Sequence, residues 1–211
     1  MQRQAYWIAL GVVLAALLVW LAFFWEPQPP GNVPLTQPHG LAQPAGQPVG
    51  GNFTLDSPQG KLSLSTYRGK VVLLYFGYTF CPDVCPTALA IMAQAFAALA
   101  PGELEQVRGI FVSVDPERDT MEVLQAYAPF FHPVIVGASG TPEQVAEVAR
   151  RYGVSYMKQK AIDGRPYTVD HSSATYLIAA DGRLVSVLPH GLPAAEVVAA
   201  IRSRLAVPVK Q

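Results

Sequence analysis

An excess of charge is the first thing this sequence lacks. Its 15 Lys and Arg are balanced by 15 Asp and Glu, and charged residues make up only 14% of 211. Proteins that grip nucleic acid rely on surplus Lys and Arg, so this balance argues against a nucleic-acid partner. There is no polybasic tail and no acidic run to recruit a charged surface. Cysteine is scarce as well, with two residues in the whole chain, too few for a framework of structural disulfides.

Apolar residues, by contrast, reach 51%, and much of that excess lies near the N-terminus. Ala5 to Trp25 is a run of 21 uncharged residues, interrupted only by Gly11. At a rise of about 1.5 Å per residue, such a helix crosses a hydrocarbon core of about 30 Å. Tyr6, Trp7 and Trp25 stand where interfacial aromatic belts occur, Arg3 precedes the run and Glu26 follows it. The expectation is a short cytoplasmic segment (1–4), a single transmembrane anchor (5–25) and everything later on the outer side. A cleaved signal peptide fits less well, because its apolar region is shorter and no small-x-small site precedes Phe23-Phe24-Trp25.

Residues 26–51 are rich in Pro, Gly and Gln and carry no apolar periodicity, which reads as an extended tether. His39 lies in this tether and reads as solvated. The folded domain is expected over 52–207, where strand and helix signals alternate. Phe53–Leu55 and Leu62–Leu64 flank a turn at Ser57–Gly60. Val71–Phe76 is a continuous apolar run of the kind buried on both faces of a sheet. Pro86–Ala100 is alanine-rich and helical, closed by Pro101-Gly102. Gly109–Val114 is a second buried strand, a helix begins over Thr120–Tyr127, and Val134–Val136 is a short strand. Pro142–Tyr152 is a helix with Thr141 as its N-cap. Val154–Met157 and Tyr167–Val169 read as extended segments around the turn Asp163-Gly164. Ala174–Ala179 and Leu184–Leu188 form a hairpin through Asp181-Gly182, and Ala194–Leu205 is the closing helix. This order is that of an α/β thioredoxin-like fold, a central mixed sheet flanked by helices. Such folds set reactive groups at the carboxyl ends of central strands, facing helix N-termini.

Cys81 and Cys85 follow the first buried strand, in Gly77-Tyr78-Thr79-Phe80-Cys81-Pro82-Asp83-Val84-Cys85-Pro86. If that stretch is helical, a spacing of four puts both sulfurs on one side of a turn. A helix N-terminus favours the thiolate, and Pro82 and Pro86 are tolerated where amides lack partners anyway. Two thiolates so placed either close a disulfide or hold a soft metal. As a purely stabilising crosslink, so short a loop constrains little of the unfolded chain.

Tyr75 to Pro86, with its Cys-Pro-Asp-Val-Cys-Pro core, resembles the signature of the Sco (SenC) family of copper chaperones for cytochrome c oxidase. Val169-Asp170-His171-Ser172-Ser173-Ala174-Thr175-Tyr176-Leu177-Ile178 resembles that family's second signature. Ser113-Val114-Asp115-Pro116-Glu117-Arg118-Asp119 is also similar to it. The resemblance spans the whole domain. It implies that Cys81, Cys85 and His171 bind copper, as Cu(I), Cu(II) or both. It also implies delivery to the binuclear copper centre of oxidase subunit II, and leaves room for another copper carrier as a second partner. The donor set agrees, since thiolates favour Cu(I) and imidazole adds affinity for Cu(II).

Asp83 and Asp170 could orient His171 or shape a partner surface, with turn and cap chemistry an equal reading. Asp115 stands at a strand's carboxyl end, where it could order its loop or dock a partner. His132 and His190 read as turn residues, and Met157 as packing. The main rival function is thiol–disulfide exchange, in which Cys81 and Cys85 reduce a partner's cysteines; a metallochaperone, by contrast, is not an enzyme. Against exchange, the cysteine spacing is one residue longer than Cys-x-x-Cys, and Ser173-Ala174 stands where thioredoxins carry a cis-proline. Peroxidase chemistry fits worst, with no Thr and Arg arranged about a lone cysteine. Anchor and cysteine usage together suggest a single-pass protein of a bacterial inner membrane with its domain in the periplasm.

Overall fold

The structure is a computed structural model and describes Trp7, Gly11, Leu17, Trp20, residues 48–161, Gly164 and residues 166–206. Apart from four isolated positions, the expected anchor lies outside the described residues, as do most of the tether, His39 and Asp163. Among the described residues, no helix is long and apolar enough to cross a membrane.

The elements run β1 (Thr54–Ser57), β2 (Gly60–Ser63), a 3-10 turn (Leu64–Tyr67), β3 (Val71–Gly77) and α1 (Val84–Ala97). They continue through α2 (Pro101–Leu104), β4 (Val107–Ser113), α3 (Met121–Phe131), β5 (Ile135–Ala138) and α4 (Pro142–Arg151). The last are β6 (Tyr156–Lys158), β7 (Val169–His171), β8 (Thr175–Ile178), β9 (Leu184–Leu188) and α5 (Ala194–Leu205). Five strands form a mixed sheet in the order β5-β4-β3-β8-β9. β3, β4 and β5 are parallel, and β8 runs antiparallel to β3 and to β9. This is the mixed sheet that the alternation of signals implied.

β3 lies in the middle, and all seven of its residues are buried, which is why it is apolar without alternation. Its two faces meet different partners. Phe76 packs on Tyr152, just past α4, and on Tyr176 of β8. Tyr75 points the other way and stacks on Phe111 of β4. On that second face, a Cβ at Gly109 would meet Phe96 and Met92 of α1, and one at Gly137 would meet Leu124 of α3. The missing side chains let both helices lie close on the sheet.

Local signals set several boundaries. Thr141 and Gln144 form a reciprocal capping box at α4, with Gln144 N–H donating to Thr141 Oγ1 at 3.3 Å. Thr120 caps α3, which continues through Pro129 to Phe131. The alanine-rich helix ends at Ala97, and Pro101-Gly102 opens the short α2 instead of merely closing a helix. β6 and β7 pair antiparallel as a sheet of their own, about two residues later in sequence than the expected extended segments.

Candidate metal centre

β3 ends at Gly77, and the chain then turns through Tyr78 to Phe80 before Cys81. The Cys81 amide donates to the Tyr78 carbonyl at 3.2 Å, so this turn is a fixed one. α1 starts only at Val84; Cys85 is therefore helical, and Cys81 lies just ahead of the helix. The sulfurs nevertheless converge, because the backbone amides of Asp83 and Cys85 point at the Cys81 sulfur. Both cysteines are free thiols. Cys81 is 9% exposed and Cys85 is wholly buried.

His171 closes β7, and its Nε2 lies 3.2 Å from the Cys85 sulfur. Nδ1 lies 2.9 Å from the Ser172 carbonyl oxygen. A carbonyl can only accept, so the neutral imidazole carries its proton on Nδ1 and turns the Nε2 lone pair toward the sulfurs. Tyr75 and Tyr78 hold the ring edge-on, with centroids 6.2 and 5.8 Å away. Cys81, Cys85 and His171 place their ligand atoms within 4.8 Å of one another, the one such group of His, Cys or acidic residues among the described residues.

The two thiols differ in acidity. The Cys85 thiol, donating to the Cys81 sulfur, holds Cys81 well below the ordinary thiol range; burial opposes this, and the backbone amides of Asp83 and Cys85 assist it. Cys85 is pushed upward, first by the neighbouring Cys81 sulfur and then by burial. The less deeply buried sulfur is thus the more acidic of the two. The two protons leave in steps that belong to the pair.

The three carboxylates considered with this site lie elsewhere. Asp170 adjoins His171 in β7 and so points to the opposite face; its carboxylate accepts from Gln159 Nε2 at 2.6 Å, not from the imidazole. Asp83 is exposed and its side chain makes no cap bond. Its carbonyl accepts from Thr87 instead, so it shapes the first turn of α1 and does not orient His171. Asp115 is 2% exposed and orders its loop: it accepts from Arg118 Nε at 2.6 Å and from the Tyr167 hydroxyl at 2.8 Å. His132 accepts from the Val134 amide and packs on Phe96, while His190 is exposed, and neither joins the cluster. Met157, expected to pack inside, is 45% exposed, because the short β6 turns it outward.

Sequence reasoning missed the residues that support the three donors. Tyr75 and Tyr78 were hidden in an apolar strand and its turn. Asp119 is buried beneath the cysteine turn, where its carboxylate accepts from Thr79 N at 2.9 Å, Thr79 Oγ1 at 2.6 Å and Ser113 Oγ at 2.5 Å. Despite these three bonds, burial wins and raises its pKa above the usual carboxylate value. The one signal for Asp119 was its place in Asp-Pro-Glu-Arg-Asp, directly after a buried strand.

Known proteins share both fold and sequence with this chain. The bovine mitochondrial SCO2 homolog is 38% identical over 159 residues, covering 74% of this chain and 59% of that protein. The chain spans 41% to 66% of the length of such curated relatives. The apo Sco1 protein of Thermus thermophilus superimposes with a TM-score of 0.67 at 45% identity, over 74% of this chain and 91% of that one. Bradyrhizobium japonicum ScoI, solved with copper bound, gives 0.68 at 38% identity, over 74% and 99%. The SCO1/SenC family model matches residues 42–206, and the chain belongs to that family.

Proposed function

We propose that this chain is a membrane-anchored copper metallochaperone that holds copper on Cys81, Cys85 and His171 and hands it to the binuclear centre of cytochrome c oxidase subunit II. The observation that carries this reading is the convergence of two sulfurs and an imidazole Nε2 within 4.8 Å of one another. Three ligands about 2.3 Å from a central metal stand about 4 Å apart, so small movements suffice to close the set on an ion. Soft sulfur with one imidazole suits copper, and three donors leave a position through which a partner can draw the metal away. Copper in the Bradyrhizobium relative and the oxidase-assembly role of Sco proteins support the same reading. The anchor over 5–25 would hold the domain on the periplasmic side of a bacterial inner membrane, within reach of the oxidase.

One observation favours a second activity. Two free thiols with their sulfurs side by side, Cys81 the more accessible, is the arrangement of an attacking and a resolving cysteine, so Cys81 and Cys85 could also reduce the cysteines of the receiving subunit. One transfer experiment separates the two. Copper-loaded protein is mixed anaerobically with the apo copper domain of subunit II, supplied with its cysteines already reduced. Growth of the binuclear-centre spectrum, with stoichiometric loss of copper from this chain, is the expected result. If copper stays put, while apo protein reduces a disulfide form of the same domain, the function is reductive and delivery is wrong.

A further inference from the structure

The cysteines and His171 reach the site on separate arms. The cysteine arm continues from β3 into α1. The histidine arm is the β6–β7 pair, which lies outside the five-stranded sheet. Its partner strand β6 is short, and Ser172 is bonded to Ser155 at the start of the same arm. Besides the short link from β7 into β8 and the rings of Tyr75 and Tyr78, a further connection between the arms helps to fix Nε2 at 3.2 Å from the Cys85 sulfur.

The loop between β4 and α3 supplies that connection, with Arg118 at its centre. The Arg118 Nε donates to Asp115 Oδ2 at 2.6 Å, and Nη1 donates to the Tyr167 carbonyl at 2.9 Å. The Tyr167 hydroxyl donates in turn to Asp115, closing a ring of three groups. The guanidinium lies 3.6 Å from the centre of the Tyr167 ring, on the histidine arm. It also lies 4.8 Å from the Phe80 ring and 5.6 Å from the Tyr78 ring, on the cysteine arm. Tyr78 extends the link, for its ring meets that of His171 edge-on with centroids 5.8 Å apart. Beside this, Lys158 of β6 donates to Glu117 of the same loop at 2.6 Å. A planar cation can donate in its plane while stacking on rings, which a lysine cannot do. The Arg118 and Asp115 side chains are only 16% and 1% exposed, so solvent screens them little.

We propose that Arg118 is a positioning residue that holds the histidine arm against the cysteine arm, and so governs whether the site takes Cu(II) as well as Cu(I). This rests on the reading of Cys81, Cys85 and His171 as copper ligands. Both sulfurs are carried by the turn after β3 and by α1, where the Cys81 amide is bonded to the Tyr78 carbonyl. Two thiolates alone satisfy the soft Cu(I) ion, whereas the harder Cu(II) depends on the imidazole nitrogen. Loosening the arm therefore removes one oxidation state's ligand and leaves the other's pair intact.

The test uses the full chain in native form and as Arg118→Met, Arg118→Lys, His171→Ala and the double variant Arg118→Met/His171→Ala. Cu(I) affinity is read by competition with a chelator, Cu(II) by its sulfur-to-copper charge-transfer band, and the metal-free arm by amide hydrogen exchange. In Arg118→Met, faster exchange is expected at residues 156–158 and 169–171, with Cu(II) affinity down about tenfold or more and Cu(I) affinity little changed. Adding Arg118→Met to His171→Ala should cause no further loss, because the arginine acts through the histidine. Arg118→Lys keeps the charge beside Asp115, so it remains testable if the methionine variant fails to fold, and it should show the same preference for Cu(I) loss-free binding with a smaller Cu(II) deficit. Equal weakening of both ions, additivity in the double variant, or undiminished Cu(II) binding would each overturn the inference alone. A native chain that binds no copper would overturn the proposed function, and this inference with it.

Discussion

His171 Nε2 lies 3.2 Å from the sulfur of Cys85, although Cys85 belongs to the first turn of α1 and His171 to the strand β7, 86 residues later. The Ser172 carbonyl fixes the far side of the imidazole, and the rings of Tyr75 and Tyr78 fix its plane. The nitrogen is thus presented to the sulfurs before any ion arrives. Preorganisation of this kind lowers the ordering cost of binding. It also leaves the surface-facing Cys81 as the donor that a partner meets first.

Cys81 and Cys85 should react at very different rates. Cys81 keeps 9% of its surface exposed and its thiol is pushed down, while Cys85 is wholly buried and its thiol is pushed up. Limited treatment of the metal-free protein with iodoacetamide at neutral pH should label Cys81 at least about tenfold faster, as thiolate fraction and access dictate. Peptide mass spectrometry reads the result. Comparable rates, or Cys85 first, would contradict the assignment of the two roles.

Gly77 leaves the space in which the Cys85 sulfur sits. A Cβ there would fall 2.7 Å from that sulfur and 3.1 Å from the rings of Phe111 and Tyr75, in a wholly buried strand. Gly77→Ala should cost about 1–3 kcal/mol by overpacking and should displace the sulfur from the site. Gly102→Ala is the control, with nothing within 4 Å of its added carbon. Urea unfolding and copper retention are the measurements. A Gly77→Ala protein as stable and as copper-competent as the Gly102→Ala control would show that the packing is looser than described.

Asp119 should leave a signature in the pH dependence of stability. Burial raises its folded pKa, so on acidification the folded protein takes up this proton before the unfolded chain does. Between the ordinary value near ~3.9 and the raised folded value, the folded state holds more protons. Stability from this group therefore grows as pH falls through that window and is lost as pH rises through the folded value. Asp119→Asn removes the titration. It should cost about 1–3 kcal/mol at neutral pH, from the weakened bonds to Thr79 and Ser113. Wild type should gain on the variant as the pH is lowered, seen in paired urea midpoints; parallel curves would contradict this.

Much of the site was legible because its donors are chemically distinctive and close to element ends. Val71–Phe76 announced a central strand by being apolar on both faces, and the cysteines followed directly after it. The histidine arm was harder. β6 and β7 have three residues each, so their register depends on what they pack against and less on local propensity. That is why they were expected two residues early, and why Met157 was expected to be inside. Arg118 was illegible for another reason: its contacts lie 49 residues away at Tyr167 and far back at Phe80, distances over which no local pattern extends. For Asp170 the sequence left several roles open, and strand alternation turns its carboxylate to Gln159, away from the imidazole.

The most direct test is copper stoichiometry with charge-transfer absorption, measured on the reduced protein loaded anaerobically, for the native chain and for Cys81→Ala, Cys85→Ala and His171→Ala. One copper per chain is expected, with a sulfur-to-copper band that changes when His171 is lost and copper retention that fails when either cysteine is lost, while all four proteins remain folded. Unchanged copper content and an unchanged band across the three variants would place the metal elsewhere and contradict the site.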